Sequence, residues 1–220
     1  MPSKLPKDPL ENLSLKIRGC TLCKLSRTRK NAVAGEGSRS AKVMLVGEAP
    51  GRQEDSQGKP FVGYSGRILD TALSKAGIKR SEIFITNVVK CRPPNNRRPQ
   101  SNELIACMGH LERQISLVSP KIICILGSTA YRSLLGGKSI VADRGKIVEK
   151  EGKRFFLTVH PASTIYNRSL RSALEKDLSI LAREIREPKQ QLNKNKKIAA
   201  RDMSFATPEK NFVKRRHRKE

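Results

Sequence analysis

The sequence predicts an α/β fold, a three-layer α/β/α sandwich around a central, mainly parallel four-stranded sheet. Two observations carry the prediction. Four short runs rich in β-branched or apolar residues (42–46, 83–86, 121–126 and 154–159) are separated by segments with helical periodicity; that alternation is the pattern of parallel strands covered on both faces. The length of 220 residues is enough for one substantial core, whereas two full-sized domains would leave both halves small.

The elements follow in order. After the first strand, Ile68, Leu69, Ala72, Leu73 and Ala76 keep one face of a helix, with Ser65 placed to cap its start and Gly77 its end. Leu104, Met108, Leu111, Ile115 and Val118 repeat the pattern between the second and third strands, and Leu170, Leu174, Leu178, Leu181 and Ile185 repeat it after the fourth. There is no internal repeat. From Arg186 onward the chain has 12 Lys or Arg, 4 acids and few periodic apolar residues, so the expected organisation is a domain over 1–186 and a basic, disordered tail over 187–220.

Lys and Arg total 45 against 20 Asp and Glu, a formal charge of +25 and a pI near 10.4. Solubility needs a net charge of only about 2 to 8, so a polyanion, and nucleic acid first, is the expected partner. No apolar run approaches the roughly 18 to 20 residues of a membrane span, and the opening MPSKLPKDPLENL lacks the apolar core of a signal peptide. The expectation is an intracellular, cytoplasmic protein associated with the nucleoid through DNA. In a reducing compartment the five cysteines are read as metal ligands before disulfides.

Cys20 and Cys23 form a CxxC before the first strand, Cys91 follows the second strand, and Cys107 lies on the helix after it. Four thiolates in two separated groups suit a metal or cluster that staples the N-terminal segment to the sheet. A thioredoxin-type CxxC follows a strand and opens a helix, and this one does neither. Spacing alone leaves zinc, an iron–sulfur cluster and bystander cysteines open. Cys124, inside the apolar run 122–126, reads as a small core hydrophobe.

Ligands of open α/β sheets bind at the carboxyl ends of the strands. The loops there read GEAPG from Gly47, NVVKC from Asn87, GSTA from Gly127 and HPAS from His160. The first continues to GEAPGRQEDSQGKPFVGYSG, which brings backbone donors, Glu48 and Phe61 together, but it has neither the P-loop ending nor GxGxxG.

GEAPGRQED with GKPFVG, then ITNVVKCRPP, then LTVHPAS, together with CTLCKL and the helix cysteine, resemble in order the signature segments of the family 4, iron–sulfur uracil-DNA glycosylases. The resemblance spans about 13–186. It implies a uracil-DNA glycosylase-like fold and a repair enzyme that flips uracil out of DNA and hydrolyses its glycosidic bond, leaving an abasic site for base excision repair. It also implies a 4Fe-4S cluster on Cys20, Cys23, Cys91 and Cys107, with zinc as the alternative, and a uracil pocket lined by Glu48, Ala49, Phe61, Asn87 and His160.

Chemistry supports each assignment. Phe61 can stack on a flipped base. The Asn87 amide offers a donor and an acceptor that match uracil O4 and N3–H. Cleavage leaves negative charge on the pyrimidine, which calls for a donor at O2, and His160 is the histidine of three that stands at a strand's carboxyl end. Glu48 is the first candidate for positioning the water, with Glu54 and Asp55 as rivals. PASTIYNR from Pro161 is placed by analogy with the family to wedge into DNA, and the three arginines of CRPPNNRRP to contact its backbone.

Two departures from the family pattern are Ser65, where alanine is usual, and the basic tail. A covalently trapping branch carries an arginine-rich inserted loop with a histidine, and LLGGKSIVADRGK lacks it; a branch of broader specificity lacks the acid at Glu48. From another class, a zinc-held, non-catalytic DNA-binding module remains open. The sequence gives no sign of oligomerisation, and a glycosylase acts as a monomer.

Overall fold

The computed structural model describes residues 8–186; the tail expected at 187–220 lies outside the described residues. Along the chain, α1 (Pro9–Arg18) precedes β1 (Glu36–Gly37) and β2 (Val43–Gly47). Helices α2 (Arg52–Gln57) and α3 (Tyr64–Lys75) lead to β3 (Phe84–Asn87), and α4 (Ser101–Val118) leads to β4 (Ile122–Leu126). Then follow α5 (Ser128–Leu135), α6 (Ile140–Asp143), the hairpin β5 (Ile147–Lys150) and β6 (Lys153–Thr158), and α7 (Arg168–Arg186).

Every residue of β2, β3 and β4 is buried, which explains why they read as apolar runs rather than as an alternation. Their side chains still alternate between two cores. Leu45 joins Leu69 and Leu73 of α3 and Leu174 and Leu178 of α7 on one face. Met44 and Val46 join Leu111 and Ile115 of α4 and Ala130 and Tyr131 of α5 on the other. A third cluster packs Leu13 and Ile17 of α1 with Leu25, Val89, Cys91 and Cys107, so the N-terminal segment has its own apolar anchor.

The sheet order is β1-β3-β2-β4-β6-β5. The four expected strands are its parallel centre, and the sheet gains two strands over the expectation, both antiparallel at the edges. Strand β1 is two exposed residues paired to Ile85 and Phe84, too short to leave a pattern. Strand β5 is half-exposed and turns into β6 through Glu151 and Gly152, both with positive φ (51° and 71°), the backbone that a tight hairpin requires. Ser65 is also corrected: it lies inside the first turn of α3, whose N-cap is Gly63 without a side-chain cap. Gly77 does close the helix in the left-handed conformation (φ 70°). Among the described residues no helix is long and apolar enough to cross a membrane.

Helix α7 is fastened to the sheet by a buried ion pair. Asp177, 1 % exposed, accepts from Arg144 Nη2 at 2.6 Å and Nε at 2.9 Å and from the Thr158 hydroxyl at 2.7 Å. The next residue, Leu178, is fully buried in the core. Leu178→Ala is expected to cost about 2–5 kcal/mol in chemical denaturation with an unchanged m-value; a loss under about 1 kcal/mol contradicts this packing.

Candidate active site

Parallel pairing sets the site at one end of the sheet. The register places Gly47 beside Asn87 and Leu126 beside Thr158, so the four strands end together and deliver their following loops to one place. Glu48, Ala49, Phe61, Asn87 and His160 line a single pocket there. Sequence reasoning selected these five, and the fold brings all five together. Glu54, Ser65, Asn96, Arg97 and Ser163 complete much of the wall.

Asn87 is 2 % exposed, and its Oδ1 is buried with no hydrogen-bond partner. A buried acceptor left open costs about 1–3 kcal/mol, so such an atom at a pocket wall marks a place where a ligand donates. Phe61, 5 % exposed, has φ 51°, an uncommon backbone for a bulky residue. Its ring centroid lies 5.7 Å from that of His160, tilted by 33°.

Three glycines that sequence reasoning did not single out make room for these side chains. A Cβ on Gly47 would lie 2.5 Å from Asn87 Oδ1 and 2.7 Å from Phe61 Cζ; one on Gly66 would lie 1.9 Å from the Phe61 carbonyl oxygen. One on Gly127, whose φ is 92°, would lie 2.7 Å from His160 Cβ. The signal for Gly47 and Gly127 is their position directly after a strand.

The acids divide by their partners. Glu54 accepts from the backbone N–H of Val62 at 3.0 Å and Gly63 at 2.7 Å through Oε1, and from Gly51 at 3.1 Å through Oε2. It therefore organises the loop that holds Phe61. Asp55, 5 % exposed, accepts from the backbone N–H of Lys30 and Asn31 and fastens the N-terminal segment to α2. Both rivals for water activation are thus committed to backbone groups, while Glu48 lines the pocket half-buried, and its carboxylate makes no protein hydrogen bond among the described residues.

His160 Nδ1 accepts from the backbone N–H of Ala162 at 3.1 Å, so the ring proton of the neutral form sits on Nε2. Part of the residue's surface opens onto the pocket, yet burial of the ring lowers its pKa to about 4, against the opposing pull of Glu54. Beyond it, residues 161–164 form a single helical turn, and Tyr166 stands 98 % exposed on the segment expected to wedge into DNA. In the arginine-rich loop, Arg97 is clamped by both carboxylate oxygens of Glu103 at 2.7 and 2.9 Å, and Arg92 donates to Asn96 at 2.7 Å.

Cys20, Cys23, Cys91 and Cys107 line a second, smaller pocket with Arg29, Lys90 and His110. Three of the sulfurs have nitrogens nearby: Arg29 Nη1 donates to Cys91 Sγ at 3.0 Å, the Lys90 backbone N–H donates to Cys107 Sγ at 3.3 Å, and His110 Nε2 lies 3.3 Å from Cys20 Sγ. Burial raises Cys91 to about 11, with Arg29 opposing it, and lowers Lys90 to about 7, with Cys107 and Cys91 opposing it. Sequence reasoning placed His110 only on a helix; its i, i+3 relation to Cys107 was the available signal. Among the described residues no group of three or more His, Cys, Asp and Glu side chains forms the shell of a single metal ion. Cys124 is fully buried in the core, away from this set.

The pocket at the strand ends sets an aromatic ring beside an amide, an imidazole and a carboxylate, and the loop after β2 has neither the P-loop ending nor GxGxxG. The family model of the uracil DNA glycosylase superfamily matches residues 34–182. Type-4 uracil-DNA glycosylase of Sulfurisphaera tokodaii is 46 % identical over 180 residues, covering 77 % of this chain and 82 % of that protein. The enzymes of the same name from Saccharolobus solfataricus (44 %, covering 77 % and 83 %) and Pyrobaculum aerophilum (41 %, covering 78 % and 92 %) are similar over nearly the same span. This chain belongs to the type-4 uracil-DNA glycosylase family.

His160 should titrate near pH 4 rather than near its unfolded value of about 6.5. Because the folded pKa is the lower one, the stability from keeping this ring neutral is present above about pH 6.5 and is lost as pH falls toward 4. NMR titration of the imidazole checks this, and a midpoint near 6.5 contradicts the neutral ring.

Proposed function

We propose that the chain excises uracil from DNA by hydrolysing the N-glycosidic bond, with the flipped base held in the pocket of Asn87, Phe61 and His160. The observation that carries this reading is the orphaned Oδ1 of Asn87, buried at the pocket wall. Uracil N3–H donates to it and the amide N–H₂ donates to O4, whereas cytosine presents the reverse pattern. Phe61 replaces part of the stacking that the base loses on leaving the duplex. As the bond breaks, negative charge gathers on the pyrimidine, and the Nε2–H of neutral His160 donates to O2. Glu48, whose carboxylate has no protein hydrogen bond among the described residues, holds the attacking water beside the sugar. The chain's +25 charge draws the polyanionic substrate.

The cysteine quartet supports a 4Fe-4S cluster on Cys20, Cys23, Cys91 and Cys107. The four residues line one pocket, with nitrogens of Arg29, Lys90 and His110 close to three of their sulfurs. When bound, the cluster would link the N-terminal CxxC segment to β3 and α4; its role here is structural.

Labelled DNA with one uracil, incubated with the protein and cleaved with alkali, tests the reaction. Cutting is expected at uracil alone, and Asn87→Ala or His160→Ala should slow single-turnover excision on the order of 10²-fold or more while melting within a few degrees of the parent. Wild-type rates in Asn87→Ala would sink the assignment. Purified protein should be brown, and Cys91→Ser should lose iron; a colourless protein carrying one zinc overturns the cluster.

A further inference from the structure

Between the base pocket and the cysteine pocket lies a cation that neither site explains. Lys90 is 1 % exposed, and its Nζ donates to Thr86 Oγ1 at 2.7 Å, to the Asn87 carbonyl oxygen at 2.7 Å and to Gln114 Oε1 at 2.6 Å. Three acceptors satisfy the three N–H groups of an ammonium. All three are neutral, and no ion pair reaches Lys90 among the described residues. A buried charge without a counter-charge is strongly unfavourable and burial drives the group toward the neutral amine; the opposing pull comes from Cys107 and Cys91. Lys90 precedes Cys91 in the chain, gives its backbone N–H to Cys107 Sγ at 3.3 Å, and lines the pocket of the quartet.

We propose that Lys90 is a positioning residue that couples the cysteine-held cluster to uracil recognition: the anionic, thiolate-bound cluster balances its ammonium, and the ammonium clamps the backbone of Asn87. The inference rests on the cluster and pocket assignments above. The same hub reaches further. Gln114 accepts from Thr86 as well at 3.1 Å and donates to the Ala34 carbonyl, and Val33 N–H donates to the Lys90 carbonyl at 2.7 Å. The end of β3, the N-terminal strap and the helix that carries Cys107 and His110 thus meet at one charge, and the cluster acts on base binding by holding that charge in place.

Lys90→Met removes the charge at similar length, and Gln114→Glu leaves it but supplies a competing carboxylate beside it, so the second variant remains informative where the first does not fold. Two quantities are measured beside iron content: the cluster's reduction potential by voltammetry, and the inhibition constant of free uracil. Each folded variant is expected to keep its iron, to shift the potential to more negative values, and to bind uracil at least tenfold more weakly, with KM raised more than kcat is lowered. Wild-type values of either quantity in a folded, iron-loaded variant overturn the coupling. The unmodified protein is measured alongside: if it is brown and excises uracil while the variants match it, only this inference fails, whereas a colourless or inactive parent overturns the reading beneath it as well.

Discussion

The molecule depends on parallel pairing between β2 and β3 that continues past the strands themselves. Val88 N–H donates to the Gly47 carbonyl at 2.9 Å and Val89 N–H to the Glu48 carbonyl at 3.0 Å. These two bonds hold the Glu48 loop against the segment that begins with Asn87 and ends with Cys91. Because the ladder pairs Gly47 with Asn87, the pocket side chains leave the sheet at one level, and the cysteine quartet is tied to the same backbone at Cys91, four residues on. A one-residue slip would send Asn87 to the opposite face.

The pocket is crowded by design of its backbone. Glycine at 47, 66 and 127 lets Asn87, Phe61 and His160 approach main chain closer than any side chain would permit. Glu54 holds the loop of Phe61 through three backbone N–H groups, which sustains a positive φ that Phe61 would not adopt alone. Such a surrounding shell holds these three side chains fixed, and on the proposed reading little of the energy of binding a base is lost to ordering them.

Much of the architecture was legible along the chain. Buried parallel strands must be apolar throughout, so 122–126 could hardly be anything else, and the leucines of α3, α4 and α7 repeat at helical spacing because one face of each meets the sheet. The edge strands were not legible: Glu36–Gly37 has no apolar pattern, and its pairing is decided by the neighbouring Phe84 and Ile85. Ser65 misled for a related reason. A serine can cap a helix wherever its backbone is extended, and here the chain enters α3 at Gly63, where Glu54 takes the N–H groups instead.

The sequence by itself determined the covered parallel sheet, the strand ends as the place of the candidate site, the residue types found there (an amide, an imidazole, an aromatic ring and a carboxylate) and the separate set of four thiols. These are properties of local pattern and of side-chain chemistry, which survive without coordinates. Only the tertiary structure decided which acid is free. Glu48, Glu54 and Asp55 are equivalent in one dimension, and they separate because Glu54 and Asp55 find backbone donors that their neighbours in space supply. The tertiary structure likewise decided that Lys90 is buried between the two sites, since burial and the partners of a charge depend on contacts between segments far apart in the chain.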